Sequence, residues 1–123
     1  MKKALIMMLA ITATLITSCS KDAKINRRID GEWQVKTIGG ESLGPGESYV
    51  FKFNKDKKLT GDGTFTMTDS LGTDATTFTY TVADQKITVI AFGESGVFSV
   101  SKYEKDNIEL IDSDNFVWDL DPM

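Results

Sequence analysis

The side chains able to do chemistry are few in kind. The 123-residue chain has no histidine and one cysteine, Cys19. That removes Ser-His-Asp and Cys-His nucleophilic machinery and the usual zinc ligand sets. "GESGV" (Gly93 to Val97) approaches a nucleophile elbow, but Val97 stands where the final glycine belongs, and the stretch reads as a hairpin turn. "GDG" (Gly61 to Gly63) is too short to cradle a phosphate and reads as a bulge or turn. Carboxylates crowd the last third: Glu104, Asp106, Glu109, Asp112, Asp114, Asp119 and Asp121. "DSDN" (Asp112 to Asn115) starts like a calcium loop, with Asp112, Asp114 and Asn115 as oxygen donors, yet the glycine and the distal glutamate are missing. A solvated acidic rim is the plainer reading. No catalytic residue, metal or cofactor is expected, and the chain is not expected to be an enzyme.

Cys19 has its own setting. Lys2 and Lys3 make a charged start, and "ALIMMLAITATLI" (Ala4 to Ile16) follows without a charge. A spanning helix needs roughly 20 apolar residues, so this run is short for one and fits a signal peptide over residues 1–18. "ITSC" (Ile16 to Cys19) resembles the lipobox of bacterial lipoproteins. The resemblance implies cleavage before Cys19, acylation of that cysteine by palmitate-type chains, and anchorage in the cell envelope, with the outer membrane favoured. Two or three acyl chains anchor firmly where one does not. The mature chain would then hold no disulfide.

"SKDAKINRRID" (Ser20 to Asp30) is polar and lacks strand alternation, so residues 19–30 are expected to form a lipidated tether, with Ile25 and Ile29 tacking its end to the domain. Lys21, Lys24, Arg27 and Arg28 stand where anionic headgroups would lie; a merely solvated linker fits them equally. Beyond the signal, twelve Lys and Arg face eighteen Asp and Glu. That balance argues against nucleic acid, which selects basic faces.

From Gly31 onward apolar residues alternate with polar ones, as half-buried strands require. Trp33/Val35, Tyr49/Phe51/Phe53, Phe65/Met67, Phe78/Tyr80/Val82, Ile87/Val89, Phe98/Val100, Ile108/Leu110 and Phe116/Trp118/Leu120 give eight such runs, with threonine frequent between them. No window after the signal peptide shows a helical stripe. Short turn-forming links join most runs: "NKDKK", "ADQ", "GESG", "EKDN" and "DSDN"; "DSLGTDA" reads as a looser loop. Residues 31–123 are therefore expected to form an all-β antiparallel meander of about eight strands, an even count that lets the last strand pair with the first.

"GEWQV" (Gly31 to Val35) carries the Gly-x-Trp that opens lipocalins, and "SYVFKFNKDKKLTGDGTFT", "FTYTVADQKITV" and "YEKDNIELI" are similar to the small lipocalin-like domains of Bacteroidota-type lipoproteins. The resemblance implies a small closed barrel. It also implies an arginine on the last strand, packed over the tryptophan; "NFVWDLDPM" has none, and Trp118 is expected to take that place beside Trp33.

The aromatic stripe is the main functional signal. Trp33, Tyr49, Phe51, Phe78, Tyr80 and Trp118 share inward parity with Phe53, Phe98 and Phe116. In a lipocalin-like barrel the first six would line a cavity for a small apolar ligand. An eight-stranded barrel is barely wider than its own side chains, so a plugged core fits the same pattern. The alternative function is a cavity-less interaction or inhibitor module that presents loops or its acidic rim to an envelope protein.

Overall fold

The computed structural model describes residues 21–123; Cys19 and the expected signal peptide lie outside the described residues. Alternation becomes strands nearly everywhere it was read. After a helix α1 (residues 21–29) come β1 (Gly31–Ile38), β2 (Glu41–Ser42), β3 (Ser48–Lys55), β4 (Thr60–Asp69), β5 (Gly72–Ala83), β6 (Lys86–Ala91), β7 (Glu94–Tyr103), β8 (Ile108–Ile111) and β9 (Val117–Pro122). Each strand from β3 to β9 pairs antiparallel with the next, and β1 pairs with both β3 and β9. β1 and β3–β9 thus close an eight-stranded barrel, leaving no long free edge. β2 is only a two-residue ladder on the end of β1.

An up-and-down barrel alternates its connections between two ends. The β3–β4, β5–β6 and β7–β8 turns share one end with Gly31 and Pro122. The β1–β3, β4–β5, β6–β7 and β8–β9 connections share the other. We call the first end the floor and the second the mouth.

Residues 21–29, expected as a tether, instead form α1 and seal the floor. Ile25, Asn26 and Ile29 are fully buried and Asp22 nearly so, a stripe at helical spacing. The two isoleucines each contribute roughly 1.5–3 kcal/mol by burial. The polar pair reaches into the turns. Asp22 accepts from the backbone N–H groups of Asp84 and Gln85 at 3.0 and 2.9 Å. Those two residues form a two-residue hairpin turn with both φ near +55°, which leaves their N–H groups free to point at the carboxylate. Asn26 donates Nδ2 toward the carbonyls of Lys57, Lys58 and Thr60, at 3.0–3.2 Å, and accepts from the Tyr80 hydroxyl at 2.7 Å.

Three turns sit elsewhere than expected. "GDG" lies inside β4, not in a bulge or turn: Gly61 pairs with Tyr80 and Gly63 with Phe78. The β6–β7 turn is Phe92–Gly93, and "ESG" already belongs to β7. "DSLGTDA" is a tight turn at Ser70–Leu71, where Asp69 Oδ1 accepts from Leu71 N–H at 2.8 Å, flanked by paired strand.

Burial follows the barrel axis. Toward the floor, Phe53, Val82, Ile87, Ile108 and Leu120 are buried; toward the mouth, Tyr49, Phe65, Val89, Phe98 and Trp118 are only half-buried. The floor half is filled, and the mouth half is open.

Candidate ligand-binding mouth

The six aromatic residues read as ligand-lining divide along that axis. Trp33 and Tyr80 lie at the floor, 4% and 2% exposed, with their polar atoms engaged. Trp33 donates Nε1–H to the Ile29 carbonyl at 2.9 Å, so it packs under α1. The Tyr80 phenol is bonded to Asn26, and its pKa is raised, first by burial and then by the charges of Asp30, Asp56 and Asp62. It remains a neutral donor.

Phe51, Phe78 and Trp118 come together with Phe65, Thr76, Val89, Ala91 and Phe98 around an open cavity of about 220 Å³. Only Thr76 brings a hydroxyl to that lining. Phe51 organises the ring packing, with Phe65, Phe98 and Trp118 centroids at 4.6, 6.2 and 6.0 Å, the latter two edge-on. Tyr49 lies just outside. It lines a neighbouring groove of about 380 Å³ with Glu47, Met67, Asp69, Leu71 and Asp74, and its ring meets Phe65 edge-on at 5.7 Å. Groove and cavity therefore adjoin through the Tyr49–Phe65 contact.

Trp118 does not stand beside Trp33. The β1–β9 register sets Trp118 opposite Ile38 and Pro122 opposite Trp33, so the two indoles occupy opposite ends. The floor side of Trp33 borders a shallow hollow shared with Arg27, Arg28, Lys105 and Pro122, which brings arginines from the N-terminal segment where none exists on β9. Phe116, read as inward, precedes β9 and is 53% exposed in the β8–β9 turn, against Gly39.

The "DSDN" turn anchors Trp118. Asp112 Oδ2 accepts from Trp118 Nε1–H at 2.9 Å, while Oδ1 accepts from the N–H groups of Asp114 and Phe116. The indole bond, with these backbone bonds, holds the Asp112 carboxyl below its ordinary 3.8. The latch is thus complete above that ordinary value and is lost as pH falls through the lowered one. Both oxygens face the chain's own donors, which is the work of a turn cap. No group of three or more acidic, cysteine or histidine side chains is arranged for a metal among the described residues.

Charge differs between the two ends: the mouth is acidic, whereas the floor is mixed, with Asp22, Asp30, Asp56, Asp84, Glu104 and Asp106 among its basic residues. Glu41, Glu47, Asp69, Asp74, Glu94, Asp112 and Asp114 stand on or beside the mouth connections. No lysine or arginine occurs in residues 60–83, 87–101 or 106–123. Lys21, Lys24, Arg27, Arg28, Lys57, Lys58 and Lys105 belong to the floor. Leu71 and Phe92, 96% and 90% exposed, are apolar tips on the acidic end.

Phe65 and Phe98 belong to the cavity as fully as the residues first singled out. Their signal lay in register: Phe65 pairs with Phe51 across β3–β4, at one height in the barrel. Parity alone does not report height.

Neither protein-family models nor curated proteins match the sequence. A solved structure of a lipocalin-like protein from Bacteroides uniformis is similar, with TM-score 0.60, covering 78% of this chain and 99% of that one at 14% identity. That identity speaks to architecture alone, and the architecture agrees with the strand order and closure seen here. The chain folds as a lipocalin-like barrel.

Proposed function

We propose that this protein is a lipid-anchored envelope lipoprotein whose barrel binds a small apolar ligand at its mouth, without catalysis. The observation that carries the reading is the burial gradient: a floor packed solid under α1, and above it an open, aromatic-lined cavity of about 220 Å³. Concave, mostly apolar sites with one or two polar groups are what small ligands use. Acylation at Cys19 fits the geometry, because only Ser20 separates that cysteine from α1. The anchored end then lies on the floor side, probing the outer membrane as the favoured address, and the mouth faces away from the bilayer.

The test uses indole emission. Full chain carrying Cys19→Ala, titrated with sterols, haem, long-chain alcohols and fatty acids, shows a shifted emission with at least one of them. Trp118→Phe abolishes the shift, because Trp33 is shut beneath α1. Emission unmoved by every compound, with nothing carried through purification by native mass spectrometry, overturns the ligand reading. The same Cys19→Ala protein leaves the membrane fraction if acylation anchors it.

A second reading is favoured by Phe92. This bulky residue sits at φ 54°, a conformation costly for it, with 90% of its surface exposed. An apolar tip held there at local expense, at the acidic end of the barrel, suits docking to an envelope protein with a basic, apolar surface.

A further inference from the structure

Resting on the ligand reading above, we propose that the mouth selects cationic amphiphiles, an alkyl or aromatic body bearing an ammonium or guanidinium group, over fatty-acid anions of equal length. The apolar part is set by the cavity of Phe51, Phe65, Phe98 and Trp118, which offers no cation to pair with a carboxylate and one hydroxyl, Thr76. The charged part is set by the groove that adjoins it. A chain seated in the cavity leaves past Phe65 and Tyr49, whose ring centroids lie 5.7 Å apart, and enters a groove bordered by Glu47, Asp69 and Asp74.

Charge complementarity decides which head group can stay there. The β4–β5 hairpin that builds the groove contains no lysine or arginine, so its carboxylates have no local counter-charge within that hairpin. A carboxylate head would meet like charge at Glu47, Asp69 and Asp74, whereas an ammonium would meet opposite charge there. The aromatic faces add to the preference, since a cation is attracted to a ring face and an anion is not. Asp112 takes no part in this attraction because both its oxygens are bonded within the Trp118 turn.

The experiment compares three probes of one chain length, dodecyltrimethylammonium, dodecanol and dodecanoate, each below its aggregation concentration, by tryptophan emission of the full chain carrying Cys19→Ala. The ammonium binds about ten-fold more tightly than dodecanoate at low salt, with dodecanol between them, and the gap closes at about 0.5 M salt as exposed charges are screened. Glu47→Gln with Asp74→Asn narrows the gap at least about three-fold while leaving dodecanol unchanged; Asp69 is kept because it holds the Leu71 turn. Dodecanoate binding as tightly as the ammonium overturns this inference and leaves the ligand reading standing. An ammonium preference that survives both salt and the double variant overturns the role given to the carboxylates. No response to any probe overturns the inference together with the ligand reading.

Discussion

Asn26 shows how one polar residue can secure a barrel end. Its buried amide donates toward the carbonyls of Lys57, Lys58 and Thr60 where β3 turns into β4, and its oxygen receives the buried Tyr80 phenol. Asn26→Ala strands the buried Tyr80 hydroxyl and removes the amide bonds to the turn, although the Thr60 carbonyl keeps the Asp56 and Lys57 N–H groups; a buried unsatisfied group costs about 1–3 kcal/mol. We expect a loss of about 3 kcal/mol in urea unfolding. Tyr80→Phe alone costs about 1 kcal/mol and becomes nearly neutral in the Asn26→Ala background, since the hydroxyl then has nothing to bond. Because burial raises the Tyr80 pKa above its ordinary 10.0, this contribution is whole below that value and fades as pH climbs past it. Asn26 and Asp22 also explain why α1 was illegible. Half of its buried stripe is polar, and a search for apolar periodicity passes over a helix whose inward face is made of hydrogen bonds.

At the scale of elements, the strands were legible and their ends were not. Aromatics at every second position mark β3, and threonine alternating with apolar residues marks β4 and β5 plainly, whereas nothing in Phe92 announces a turn. The same elements show why β4 carries "GDG". A Cβ on Gly61 would stand 2.5 Å from the Tyr80 hydroxyl oxygen, and one on Gly63 would stand 2.6 Å from Phe78 Cζ, each also against a β3 carbonyl. The glycines make room for two rings from β5. Gly63→Ala should therefore destabilise the barrel by about 2 kcal/mol, as overpacking does. Gly96→Ala, on β7 with open space around it, should stay within about 0.5 kcal/mol of the parent. Thermal or urea unfolding of the two variants side by side checks the contrast.

For the whole molecule, the count of eight strands followed from parity and short links and closure from the lipocalin-like resemblance, but the division into a filled floor and an open mouth followed from neither. That division depends on which inward residues share a height, and on a helix that occupies one end. Closure makes a prediction of its own. Amide protons of β1 and β9, the strands farthest apart in sequence, should exchange with deuterium as slowly as those of central β5, while β2 and the tip around Ser70–Leu71 exchange early. Rapid exchange along β1 and β9 would mean an unsealed seam. The bonds from α1 to the β5–β6 turn have a further consequence, for order in time. Asp22 meets residues 62 and 63 positions downstream, and β1 waits for β9 before its outer edge is satisfied. Contacts of such long range form slowly. A chain delivered N-terminus first can pair β1 with β3 early, but its other edge stays open until β9 is made, and a chaperone that shields that edge during the interval would hasten correct maturation.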